Sequence, residues 1–484
     1  MTLTASLHNV PGMTSASLAP EIVERFAAIV GDRYALRSAD DIAPFIVERR
    51  GLFAGRTPLV LRPGSVAEVS DILKLATETR TPIVPQGGNT GLVGAQMPDQ
   101  SGDQVVVSLS RLDRIREIDT LSNTVTVEAG VVLETLQNAA DAAGRLFPLS
   151  LGAQGSCQIG GNLSSNAGGT GVLAYGNARE LCLGVEVVLP TGEVLDDLRK
   201  LKKDNTGYDL KNLFVGAEGT LGVITAAVLK LFPKPKGREV AWAGVESPRA
   251  ALDLFTLASD RAGGGLTAFE LVTAMGIDFA ERHMGVHRPL SGSHWYVLIE
   301  ISSGRSPEDA RNLAEDILAA GFDAGLVSDA VIAASIAQQH AFWQVRESLS
   351  DSQKPEGTSI KHDISVPVAA IPEFIARGAG VVASVSPEAR IICFGHMGDG
   401  NLHYNVSQPV GADPQAFLGL YQPMNQAVHA LVREFGGSFS AEHGIGQMKR
   451  DELVATAPPA AIELMRRVKS ALDPAAIMNP GKMI

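Results

Sequence analysis

Fifty of the 484 residues are glycine, about 10% against a usual share of about 7%. They are unevenly placed. Nine lie between Gly152 and Gly184, and others gather at 87–94 and 395–400. Glycine concentrated in this way marks backbone that adopts positive φ or comes very close to something else. Whatever this chain folds into must contain several such stretches.

PQGGNTGLVG (85–94) follows the short strand pattern TPIVP. Successive N–H groups in a turn of this kind converge into an anion nest, and a diphosphate is the natural guest. A Rossmann fingerprint needs GxGxxG opening a helix, and the nearest match, Gly169-x-Gly171-x-x-Ala174, opens no helical pattern. Taken alone, one glycine-rich turn is more often just a tight loop. The second run, SLGAQGSCQIGGNLSSNAGGTGVLAYG (150–176), joins glycine to Ser and Asn rather than to Lys and Glu. These residues supply neutral hydrogen bonds suited to a large polar cofactor with amide and carbonyl edges. The third run, DNTGYDLKNLFVGAEGTLGVIT (204–225), is of the same kind. Three such loops are hard to explain as turns alone.

Helical periodicity predicts helices over 21–35, 66–80 with a Ser65–Glu68 capping box, 131–143, 248–262, 307–320 with a Ser306–Asp309 cap, 329–350, 371–384, 414–435 and 459–471. Strands are predicted at 104–109, 241–245 and 294–302. Two more fall within 115–129, and hairpins span 185–195 and 391–406. The Pro/Lys break FPKPKG closes a first domain at 237.

The ordered set PQGGNTG, GGNLSSNAGG and DNTGYDLKNLFVGAEGTLGVIT resembles the PCMH-type FAD-binding domain of the vanillyl-alcohol-oxidase superfamily. The later GHMGDGNLHYN, SAEHGIG and NPGK resemble its FAD-linked oxidase C-terminal type. The resemblance runs from near residue 40 to the end, and within the superfamily it is to the D-2-hydroxyacid dehydrogenases. It implies an α+β fold in three parts. A PCMH-type FAD-binding domain spans 1–237, and an α/β substrate (cap) domain carrying a metal hairpin spans 238–435. A C-terminal helical segment, 436–484, returns to the flavin. It also implies that Gly87, Gly88, Asn89, Thr90, Gly91 and Leu92, with Pro85 before them, cradle the FAD diphosphate. Gly155, Ser156, Ile159, Gly161, Asn162, Ser165 and Asn166 would line the flavin and ribityl chain. Glu218, Gly219 and Ile224 would border the adenosine side, and Asn479 of NPGK would join them. Some relatives attach the flavin through a His or Cys in the first loop. This loop holds neither, so non-covalent FAD is expected.

Of ten histidines, His8, His283, His287, His294, His340 and His429 read as surface or core residues. IICFGHM and LHYNV flank Gly398-Asp399-Gly400-Asn401, a four-residue hairpin loop. That register pairs Met397 with Leu402 and His396 with His403. Opposed residues share one face, with Cβ atoms about 4.5–5.5 Å apart, a good bite for one metal. The same pair could instead stack or hold water. SAEHGIG (440–446) adds Glu442 and His443, whose side chains point opposite ways in extended backbone. The economical assignment makes Glu442 the third metal ligand and His443 the acid/base, and the resemblance implies the same. Two His and a carboxylate suit zinc or non-haem iron. Flavin takes the electrons, so zinc as a Lewis acid is favoured, with manganese or iron as substitutes.

The resemblance places Arg346, Ser350, Lys361 and Asn405 on the substrate carboxylates; Arg346 could equally be a solvated helix charge beside Glu347. The expected reaction is oxidation of a D-2-hydroxy acid to the 2-oxo acid by hydride transfer to flavin N5. Two cations exceed what one metal-chelated carboxylate needs, which points to the dicarboxylate D-2-hydroxyglutarate. D-lactate or glycolate oxidation is the rival, and a zinc hydrolase with structural glycine loops is a second. The implied electron acceptor is an electron-transfer flavoprotein. A homodimer is compatible with this reading but nothing in the sequence encodes one.

The net charge, 41 − 53 = −12, and a pI near 5.4 argue against a nucleic-acid partner. Cys157, Cys182 and Cys393 form no CxxC motif, so no disulfide framework or zinc ribbon is readable. The first twenty residues lack Lys and Arg, so neither a secretory nor a transit signal is expected. No membrane span is expected either, and the location inferred from these two points is cytoplasmic.

Overall fold

The computed structural model describes residues 18–484, so His8 and most of the N-terminal stretch behind the targeting expectation lie outside the described residues. Two small sheets form the first half. Val105–Ser108 lies between Val60–Leu61 and Ile83–Gln86, parallel to both, and Ala35–Leu36 is antiparallel at the edge. Parallel strands require a crossover, and the helix Val66–Thr79 supplies it. Its start is fixed by the Ser65 hydroxyl, which accepts the Glu68 N–H at 3.2 Å, while the Glu68 carboxylate accepts the Gly64 N–H at 2.7 Å. Val69, Ile72, Leu73 and Ala76 on its inner face pack with Ile83, Val105 and Val107. The second sheet is antiparallel, in the order Ile115–Asp119, Thr124–Glu128, Val223–Lys230, Cys182–Val188, Val194–Asp197. The glycine runs are connections of these two sheets. The first leaves Ile83–Gln86, the second contains the short helix Ile159–Ser164, and the third leads into Val223–Lys230.

Beyond Gly237 an antiparallel sheet takes over, in the order Asp329–Ile332, Gly237–Val245, Trp295–Ser303, Leu266–Thr273, Arg390–His396, Asn401–Ser407, Ser359–Ile360. Helices Pro248–Ala262 and Pro307–Asp323 cover one face, and Ala274–Met284 with Ile336–Ser348 cover the other. Ser247 and Ser306 cap the first two, each followed by Pro at the first helical position. The final segment returns to the first half. Ile83 donates to Ile477 O, Asn479 donates to Ile83 O, and Gln447 and Met448 both donate to Val93 O.

Several predicted boundaries change. The stretch 329–350 is not one helix: Asp329–Ile332 adds an edge strand to Gly237–Val245, and the helix starts only after Ser335, whose hydroxyl accepts the Gln338 N–H. The stretch 414–435 breaks at Gly419-Leu420 into Pro414–Leu418 and Tyr421–Glu434. The first helix stops at Val30, because Gly31 has φ +80°. One stretch, Val368–Val385, is long and apolar enough by length and composition to cross a membrane. Glu373 and Arg377 interrupt it, and Phe374 and Val382 join the core of the sheet's helical layer.

Candidate active site at the hairpin and the C-terminal loop

The hairpin forms with a different register from the one expected. Phe394 faces His403, and the loop is Met397–Gly400, with Gly400 at φ +87°. A loop moved by one residue shifts the pairing by two. Parity is therefore kept, and His396 and His403 still share a face as diagonal neighbours with ring centroids 6.0 Å apart. The ligand atoms of His396, His403 and Glu442 lie within 4.8 Å of one another. The Nε2 of His396 is 3.4 Å from Glu442 Oε1.

A residue that sequence reasoning passed over stands directly opposite His396. Glu270 pairs with it across the ladder, and its Oε1 lies 2.7 Å from His396 Nδ1. The other carboxylate oxygen accepts Arg346 Nε–H at 2.8 Å. The only sequence signal was an acid inside the otherwise uncharged strand LTAFELVT. Burial would raise the Glu270 carboxyl, but His396 and Arg346 hold it down to about 2. Burial would likewise lower His396, yet Glu270 and Glu442 raise it to about 10. An imidazole that keeps its proton so firmly between two carboxylates marks a site with charge for a cation. Burial lowers His403 to about 4, so it is a neutral donor. Arg346 is not a solvated charge: it is 7% exposed and lies over the Phe394 ring at 4.9 Å, and one of its terminal nitrogens, Nη2, has no protein partner.

Glu442 and His443 are fixed by Asp363, also unremarked in the sequence. Asp363 Oδ2 accepts the backbone N–H of both, at 3.0 and 2.9 Å, and faces His443 Nδ1 at 3.4 Å. Its Oδ1 accepts from Asn401 Nδ2 at 3.1 Å. Burial opposes ionisation of Asp363, but His443 nearby holds it well below the usual carboxylate range. Asp363, Glu442 and His443 also form a compact group of potential ligands. His362, the histidine left out of the sequence reading, is buried, with Nδ1 on Tyr404 O at 2.7 Å.

Two of the remaining predicted anchors meet each other. Lys361 Nζ donates to Ser350 O and Oγ at 2.9 and 3.1 Å. Lys361 is open to solvent yet surrounded by protein, and that enclosure lowers it to about 8. Ser350 lies just past the end of the helix Ile336–Ser348 rather than on it. Asn405 is buried on the same face of its strand as His403.

The second glycine run reaches this cluster. A Cβ at Gly168 would lie 4.0 Å from Glu442 Oε1. Among the described residues, no backbone N–H of Gly87 to Leu92 donates to a protein acceptor, as an anion nest requires. Gln158 Oε1 and Asn162 Nδ2 are buried without partners, and space is open beside Gly161. These features fit a cofactor with phosphate and amide edges. Other predicted cofactor residues also have partners within the protein. Ile159 and Ile224 put their side chains in the core. The Asn89 amide holds Pro44 O and Val47 O, and Asn166 Oδ1 accepts the Arg179 N–H. Glu218, at φ +51°, accepts the N–H groups of Ile445 and Gly446 at 2.6 and 2.8 Å, and Asn479 Nδ2 donates to its carbonyl. Glu218 thus ties the third glycine run to the loop that carries Glu442 and His443.

Gly88 is required by loop packing, since a Cβ there would stand 2.0 Å from Ser156 O. Gly88→Val should therefore drive the first two glycine runs apart and lose most bound flavin, read as the ratio of flavin to protein absorbance. An unchanged ratio would remove this contact from the cofactor site.

Known proteins resemble this chain in sequence and fold. Residues 57–197 match the family FAD binding domain, and residues 234–483 match the family FAD linked oxidases, C-terminal domain. The chain is 37% identical over 471 residues to the D-2-hydroxyglutarate dehydrogenase, mitochondrial, of Arabidopsis thaliana, covering 97% of this chain and 82% of that one. It is 38% identical over 433 residues to the protein of the same name from Danio rerio, covering 89% and 79%. A solved structure of p-cresol methylhydroxylase with substrate bound shares the fold at TM-score 0.75 and 16% identity, covering 96% of both chains. Both dehydrogenases are named mitochondrial, which overturns the expectation of a cytoplasmic location.

Proposed function

This chain belongs to the FAD-linked oxidases, and on that premise we propose that it oxidises D-2-hydroxyglutarate to 2-oxoglutarate, with a divalent cation held by His396, His403 and Glu442. It is an FAD-dependent oxidoreductase. Residues up to 237 hold FAD, 238–435 hold the substrate, and 436–484 bring Glu442 and His443 back to it. The match of both halves to FAD families sets aside the zinc hydrolase.

The observation that carries the substrate reading is Arg346. A buried guanidinium with an unengaged N–H group loses about 1–3 kcal/mol unless a partner satisfies it, and a substrate carboxylate does so. FAD, when bound, supplies the two-electron acceptor. The cation, when bound, supplies a Lewis acid beside the hydroxyl, and zinc suffices because no redox role falls to it. His443 takes the hydroxyl proton on Nε2, since Nδ1 faces Asp363. Lys361 and Ser350 take the second carboxylate, and Asn405 lines the pocket. The acceptor implied by the family is an electron-transfer flavoprotein, tested by its reduction in a coupled assay.

Charge-assisted hydrogen bonds contribute roughly 1.5–3 kcal/mol, so D-2-hydroxyglutarate should exceed D-lactate in kcat/KM by about ten- to a hundredfold. Side-by-side kinetics with D-malate as an intermediate case test this. Equal or better kcat/KM for D-lactate would sink the dicarboxylate and promote the D-lactate reading.

A further inference from the structure

Glu270 is the only charged residue in Leu266–Thr273, a strand buried along nearly its whole length. It is 1% exposed. A buried ion pair in such a place is often replaceable by apolar residues with no loss of stability, so fold stability alone gives no reason for an acid there. Its contacts give one. Each carboxylate oxygen takes one side chain of the site: Oε1 takes His396 Nδ1 at 2.7 Å, and Oε2 takes Arg346 Nε at 2.8 Å.

We propose that Glu270 is a positioning residue that sets a metal ligand and the substrate anchor at once. Its contact with Nδ1 aims the His396 ring so that Nε2 faces Glu442. Accepting Nε–H holds the Arg346 plane over Phe394 and leaves Nη2 as the free donor. One carboxylate therefore couples cation affinity to substrate affinity. The inference rests on the proposed function, and it adds a residue no motif points to.

Glu270→Gln tests it. A glutamine keeps the shape but offers one acceptor and one donor, so it can serve only one of the two N–H groups. FAD-loaded enzyme stripped of metal is titrated with Co2+ and followed by its visible absorption. The variant should bind Co2+ about 10- to 100-fold more weakly, the usual effect of losing a group behind a ligating histidine. At saturating Zn2+ its kcat should recover toward wild type while KM for D-2-hydroxyglutarate stays raised, because the Arg346 arm is not repaired by metal. Glu300→Gln, on the adjacent strand and bonded to Trp343, should move neither value. Wild-type Co2+ affinity and KM in Glu270→Gln would overturn the proposal. If wild-type enzyme itself binds no cation or does not oxidise the substrate, the functional reading fails instead. Should Glu270→Gln lose FAD, Glu270→Asp carries the same test, since a shorter acid cannot span both partners. Loss of FAD in both variants would make Glu270 a residue of the fold and overturn the proposal.

Discussion

Replacing His443 by alanine lowers kcat by about 10²–10⁴-fold, the range for removing a general base, while FAD and metal content stay at wild-type levels. Asp363 sets this expectation. Its carboxylate stays ionised at neutral pH, because His443 holds it below the usual range against the effect of burial. It holds His443 through the backbone N–H at 2.9 Å and lies 3.4 Å from its Nδ1. The other ring nitrogen is left to accept a proton. His443 stacks on His403 at an interplanar angle of 28°, with centroids 6.3 Å apart, beside the His396–His403–Glu442 group but not part of it. The alternative group of Asp363, Glu442 and His443 gives the test its edge. If metal content falls with His443→Ala, His443 is a ligand rather than the base. Kinetics alone would not separate these roles; metal analysis of the same sample does.

The residues legible in the sequence are those whose motifs are local. His396 and His403 come together through one hairpin, and Glu442 and His443 are adjacent. Their convergence survives an error of two in the strand register, because parity rather than register decides which face a side chain takes. Glu270 and Asp363 were not legible. Their partners lie 126 and 80 residues away, and no periodicity links such positions. Glu218 shows the opposite case. It sits in a cofactor motif, and its carboxylate holds the C-terminal loop, 227 residues on. Glycine at 88 has a reason the motif does not carry: a second loop passes over it. The helix expected over 329–350 failed because an edge strand borrows its first turn, and pairing partners on another strand are invisible to a local window.

Removing the metal should abolish most turnover and leave the flavin in place. Lewis-acid stabilisation is worth several kcal/mol, which is two or more decades of rate. The flavin should stay because the three ligands come from the hairpin and the C-terminal loop and none from the glycine runs. The stripped site should also hold its shape. His396 keeps a proton up to about 10 between Glu270 and Glu442, so an imidazolium replaces part of the missing positive charge. That same proton must leave when metal binds, so metal affinity should rise with pH. Zinc added back should restore the chelated wild-type enzyme. His396→Ala should behave differently: it loses the same activity, keeps FAD, and is not rescued by zinc, because the ligand itself is gone and Glu270 is left facing only Arg346. Metal analysis, flavin absorbance and turnover on one preparation measure all three. Full turnover by chelated, metal-free enzyme would sink the Lewis-acid role and reduce the His396–His403–Glu442 group to a proton-holding cluster.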